Sequence, residues 1–126
     1  MASDITAAFE VTSWDEHPFD EAIETPKVTE AVVGKSYTGG IEGTSSTRWL
    51  MSYAPDETAT FVGIELISGT VGDTEGTLVL QHVGEFRDGA ATATLTVVGA
   101  GGALAGASGS GDFRADPGGS VSLRLD

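Results

Sequence analysis

Residues 75–98 read Glu75-Gly-Thr-Leu-Val-Leu-Gln-His82-Val-Gly-Glu-Phe-Arg-Asp88-Gly89-Ala-Ala-Thr-Ala-Thr-Leu95-Thr-Val-Val98. Two alternating runs flank Asp88-Gly89, a pair that accepts the left-handed backbone of a tight hairpin turn. In the second run Ala91, Ala93, Leu95 and Val97 face one way and Thr92, Thr94 and Thr96 the other, which is the period of a strand with one buried face. In the first, Leu78, Leu80, His82, Gly84 and Phe86 share a side opposite Gln81 and Glu85. The stretch is a β-hairpin.

The same period extends outward in both directions. Strands are expected at 59–69, at 40–53 with a bend at Gly43, and at 27–38, where Pro26 forces an extended start. Pro55-Asp56 supplies a turn. The first run places Ile5, Ala7, Phe9 and Val11 against Thr6, Glu10 and Thr12. Asp15–Thr25, with Pro18 and several acids, reads as a solvated loop with at most a turn of helix. Gly99–Gly111 has six glycines in thirteen residues and reads as a flexible loop. Strands at 110–115 and 120–125 follow, joined by Asp116-Pro-Gly-Gly119.

About eight strands result, and no helix is long enough to cover a sheet. The apolar faces must therefore cover one another. An all-β, closed antiparallel barrel in a single domain, 1–126, is expected, with a β-sandwich as the alternative. In-strand Gly34, Gly43, Gly63 and Gly84 favour the barrel, because glycine relieves crowding where a small sheet coils sharply.

Composition narrows the partners. The 126 residues carry 19 acids and 6 bases, a net charge of −13, and neither half is basic. A field of that sign repels phosphate and anionic lipid, so no nucleic acid and no membrane is expected as a partner. Without cysteine there is no disulfide, thiolate nucleophile or cysteine-ligated metal. The opening Met-Ala-Ser-Asp-Ile-Thr lacks the marks of a signal peptide, which leaves a cytoplasmic location as the default. With 40% hydrophobic residues the chain is expected to fold.

Five segments occur in a telling order: Val11-Thr-Ser-Trp14-Asp, Gly40-Ile-Glu42-Gly43, Trp49-Leu-Met-Ser-Tyr53, Phe61-Val-Gly63-Ile-Glu65 and Gly76-Thr-Leu-Val-Leu-Gln81-His82-Val-Gly84. Leu104-Ala-Gly106 and Gly109-Ser-Gly111-Asp-Phe113 complete the set. Together they resemble a bacterial family of unknown function whose members form small β-barrels similar to allene oxide cyclase. The resemblance implies an eight-stranded barrel with a mostly apolar cavity open at one end. Relatives of that broader class bind lipids or polyketide-like molecules, and some catalyse cyclisation without cofactors. Fold alone does not transmit that activity.

His82 lies on the apolar parity of its strand and is expected to point into the barrel. Glu65 shares parity with Phe61, Gly63 and Ile67, but Val62, Ile64 and Leu66 are equally apolar, so the pattern leaves its direction open. An inward Glu65 with a pKa raised by burial, near an imidazole, can shuttle protons. The plainer alternative is a core histidine with a buried partner or a rim charge. Pairing 59–69 with 75–87 about residue 72 sets Glu65 opposite residue 79 and His82 roughly 10 Å away, which predicts a ligand between them rather than a direct dyad. Trp14, Trp49, Tyr53 and Phe61 are candidate walls of a substrate pocket, or simply core and rim. Glu42 reads as solvent-facing rather than as a second inward carboxylate, and His17 as solvated.

Other chemistries lack their motifs. Gly106–Asp112 has the glycine spacing of a phosphate loop without its Lys-Ser/Thr, and no G-x-S-x-G elbow occurs. Two histidines 65 residues apart show no metal-ligand spacing, so no metal and no cofactor is expected. The sequence thus points to a barrel that binds a small apolar or amphipathic ligand. A cofactor-free cyclase or isomerase acting on a polyketide- or lipid-like substrate is the sharper form, with Glu65 or His82 moving a proton. A non-catalytic carrier and a structural module with a packed lumen are the alternatives, and a homo-oligomer is open.

Overall fold

A computed structural model describes residues 3–116 and 118–126. Strands β1 (Ser3–Pro18), β2 (Lys27–Gly39), β3 (Ile41–Tyr53), β4 (Ala59–Val71), β5 (Thr74–Arg87), β6 (Ala90–Gly102), β7 (Gly109–Asp116) and β8 (Gly118–Leu125) follow one another round the sheet. Each pairs antiparallel with its neighbours in sequence, and β8 closes onto β1 through Ser3↔Leu125 to Phe9↔Gly119. The expected all-β closed barrel of eight strands is what forms. Closure follows from the pattern: each strand has one apolar face and none is shielded by a helix, so the faces are buried by curling the sheet on itself.

The Asp88-Gly89 turn forms as read, with φ of 55° and 77° on its two residues. Three boundaries differ. β1 runs on to Pro18 through the segment expected to be a loop, because Ser13–Pro18 pairs with β2 through Gly34–Thr29. β6 takes up the first glycines of the Gly-rich segment and β7 starts at Gly109, leaving only 103–108 between them. β7 and β8 are joined more tightly than Asp116–Gly119 implied, and Pro117 of that stretch lies outside the described residues.

One end of the barrel, the base, is closed by Ile5, Ile41, Val71 and Leu125, with Leu104 from the 103–108 connection packed among them. The other end, the mouth, is rimmed by Pro18, Lys27, Tyr53, Ala59, Arg87 and Ala90. Between them Leu78, Leu80, Leu95 and Leu123 are fully buried, each stabilising the fold by roughly 1.5–3 kcal/mol.

A bulge in β1 between Val11 and Ser13 adds one residue and so exchanges the faces of the strand beyond it. Without it, Trp14 and Glu16 would share the outer side with Glu10. With it, they pair with Val33 and Ala31, whose side chains are buried inside the barrel.

Candidate functional site

Four strands, β2 to β5, bring polar side chains to the middle of the lumen. On β2, Lys35 and Tyr37 continue the inward parity of Ala31 and Val33. On β3, Ser45, Thr47 and Trp49 alternate inward. Across the sheet Thr47 faces Glu65, and Glu65 faces Leu80. In the next row Trp49 faces Gly63, and Gly63 faces His82. Gly63 sits between the indole and the imidazole, and a Cβ there would lie 2.6 Å from Trp49 Cδ1. Its missing side chain lets the two rings meet.

This register corrects the expected separation of Glu65 and His82. The two-residue turn Gly72-Asp73 pairs Val71 with Thr74 and sets Glu65 opposite Leu80 rather than residue 79. His82 then lies two residues on and on the same face, and its Nε2 is 2.9 Å from Glu65 Oε1. A direct pair forms. Glu65, with both faces of its strand apolar, turns inward.

The carboxylate of Glu65 is surrounded by donors. Oε1 takes His82 and lies 3.6 Å from Lys35 Nζ. Oε2 accepts hydrogen bonds from Tyr37 and, at 2.6 Å, from Ser45 Oγ. On the far side of the imidazole, the Trp49 indole N–H donates to His82 Nδ1 over 3.1 Å. An indole nitrogen only donates, so Nδ1 must be the bare nitrogen and Nε2 the one that carries the proton. His82 is therefore neutral, and protonating it would set two N–H groups against each other.

Lys35 supplies the balancing charge. Its ammonium lies over the rings of Phe9, Trp49 and Phe113 at 4.6, 5.0 and 5.0 Å. Beyond the long contact with Glu65 it has no hydrogen-bond partner among the described residues, and the buried hydroxyl of Thr47 has none either. Lys35 and Glu65 are each 1% exposed and His82 is 0%.

These surroundings set the protonation states. Burial alone would raise Glu65, but the His82 hydrogen bond, the Lys35 charge and the Ser45 hydroxyl outweigh it and hold the carboxyl at about 2, against an ordinary 4.5. The expectation of a carboxyl raised toward neutrality is thus reversed, because donors converge on the anion. Burial lowers Lys35, opposed by Glu65, and lowers His82 in the same way. Burial and the neighbouring carboxylate push the Tyr37 hydroxyl well above its usual range.

Of the expected site residues, Glu65, His82, Trp49 and Phe61 converge. Trp49 lies 5.0 Å from Phe61 and 5.9 Å from His82 between ring centroids. Trp14, half exposed, leans on Trp49 at 5.7 Å because of the β1 bulge. Tyr53 belongs instead to a second polar group at the mouth. There Glu16 accepts from the hydroxyls of Tyr53 and Thr29 and from the Trp14 indole. Burial would raise Glu16, but these hydrogen bonds lower it, while burial and Glu16 push Tyr53 up to about 12. An open cleft of about 490 Å³ runs beside Tyr53, lined by Pro26, Lys27, Pro55 and Glu57. Glu42 is exposed, and His17 is bonded to Glu30 at the surface. Lys35, Tyr37, Ser45 and Thr47 escaped the sequence reading. Lys35 left a signal, since it shares parity with Ala31, Val33 and Tyr37. Among the described residues no three His, Asp or Glu side chains converge as metal ligands.

A family model described as protein of unknown function (DUF3224) matches residues 5–126. A crystal structure of a protein of unknown function from the DUF3224 family of Shewanella oneidensis MR-1 is similar, with a TM-score of 0.84 and 21% sequence identity over 100% of this chain and 97% of that one. At that identity the likeness is one of fold. No curated protein matches the chain.

Proposed function

Since the chain belongs to the DUF3224 family, whose description leaves the activity open, we propose its function from the buried cluster: the barrel binds a small, largely apolar molecule bearing one hydrogen-bond-accepting oxygen. The observation that carries this reading is the orphaned ammonium of Lys35. A buried ammonium without a hydrogen bond is costly, and a barrel of this size can be filled by apolar side chains alone. A ligand oxygen at Lys35 Nζ removes that cost. Glu65 and Lys35 already balance in charge, so an uncharged carbonyl fits better than an anion.

The route in is the mouth. Met51 and Phe61 lie between the rim and Trp49, and an unbranched methionine swings aside readily. The motifs similar to allene oxide cyclase-like barrels point to lipid- or polyketide-like molecules of this kind. Cyclisation or isomerisation would then rest on folding the substrate and on Lys35 polarising its carbonyl. Proton transfer by Glu65 is disfavoured, because a carboxyl held at about 2 is a weak base and the free lone pair of His82 is occupied by Trp49.

A second reading rests on the closed packing around Glu65 and His82, which suits a structural module. Calorimetric titration with 2-nonanone, a neutral ketone on an apolar chain, separates the two. Binding that weakens at least about tenfold in Lys35→Met, with deuterium exchange at the ketone's α-carbons no faster than in buffer, is the expected result. Lys35→Met leaves Glu65 unpaired, so Lys35→Met/Glu65→Gln serves as the stability-matched control. Absence of any binding to the wild-type barrel supports the structural module instead, and equal binding by wild type and double variant overturns the role of Lys35 as the group that holds the ligand.

A further inference from the structure

The middle of the outward face of β4, with Leu50 of β3 and Val83 of β5 beside it, is apolar where a solvated sheet is ordinarily polar. Leu50, Val62 and Val83 form one cross-strand row, and Ile64 and Leu66 continue it along β4. Each is between 42% and 54% exposed. A contiguous apolar patch of this kind marks a contact surface. We infer that this face joins two copies of the chain in a two-fold dimer.

The shape is self-complementary. The row Leu50–Val62–Val83 stands as a ridge between two shallow grooves of about 360 Å³ each, one beside Ser52 and Thr60, the other beside Ile64 and Gln81. In a two-fold pairing the ridge of each copy seats in a groove of the other, as in face-to-face sheet packing.

The charges select the same partner. In the three outward rows that run from β2 to β5 through Leu50, Arg48 and Ser46, the only charged residues are Glu30 and Arg48. They have opposite signs and lie in adjacent rows. Arg48 forms no ion pair among the described residues of its own chain, whereas Glu30 is held by His17 at the surface. A two-fold relation brings the Arg48 of each copy to the Glu30 of the other. A basic partner would be drawn to the acids that make up the rest of a −13 chain rather than to this nearly neutral face.

Sedimentation equilibrium of the full chain between about 1 and about 200 µM tests this directly. The mass is expected to rise from 12.8 kDa toward twice that value. Val62→Asp, which points outward and leaves the core untouched, should remain a monomer throughout with an unchanged thermal midpoint. Arg48→Glu should weaken the dimer at least about tenfold, and adding Glu30→Arg should restore it. A wild-type mass fixed at the monomer value overturns the inference. So does a dimer that survives Val62→Asp, or a double reversal that fails to recover association.

Discussion

Lys35 carries a positive charge into a core made mainly of rings and aliphatic chains, and Glu65 can stay ionised there because donors surround it. The consequence is a pH dependence with a definite sign. Glu65 is held at about 2 when folded against 4.5 ordinarily, so its contribution, about 3 kcal/mol, is present above about 4.5 and lost as pH falls toward 2. His82 is also lowered, by burial, so the unfolded chain takes up that proton first and stability begins to fall below the ordinary 6.5. Urea unfolding across pH 7 to 3 is expected to show both losses, and Glu65→Gln should remove the lower one. Identical pH profiles for wild type and Glu65→Gln would contradict this. Not every residue was equally legible in the sequence. His82 and Lys35 are inward by simple parity, whereas the direction of Glu65 was hidden by Val62, Ile64 and Leu66, which are apolar for a different reason, on the outer face.

At the scale of the strand, the site depends on register. The hairpin of β5 and β6 was readable because Asp88-Gly89 names its own turn. The turn between β4 and β5 was not. Centring it on one residue instead of on Gly72-Asp73 moves the register by one and separates a pair that is in fact hydrogen-bonded. The β1 bulge was likewise invisible, since nothing in Val11-Thr-Ser marks an extra residue, yet it turns Trp14 and Glu16 inward. Gly63 shows how closely the rows are fitted. In Gly63→Ala the new methyl would lie 2.1 Å from the Arg48 carbonyl oxygen and would displace Trp49. A loss of roughly 1–3 kcal/mol in urea unfolding is expected, together with a shift of the Trp49 indole N–H resonance as its bond to His82 breaks. An unchanged indole resonance would show that the glycine is not what lets the rings meet.

The molecule as a whole is a ring of strands in which each has a neighbour on either side, from β1 round to β8 and back. Closure was legible from composition and period, because one-sided strands without helices have nowhere else to bury their faces. The complete burial of Lys35, Glu65 and His82 in the middle was not, because parity reports direction and says nothing of how far a side chain is shielded from water. The ring also brings Ser3 beside Leu125 in the β1–β8 ladder. Strand order round the ring follows chain order but does not depend on which strand comes first: Ser3 and Leu125 can be joined through a few Gly and Ser residues, and the covalent thread cut instead at the Asp88-Gly89 tip. Such a circular permutant should keep the wild-type far-ultraviolet spectrum and melt cooperatively at a lower temperature. The barrel would then be a shape with no obligatory starting point.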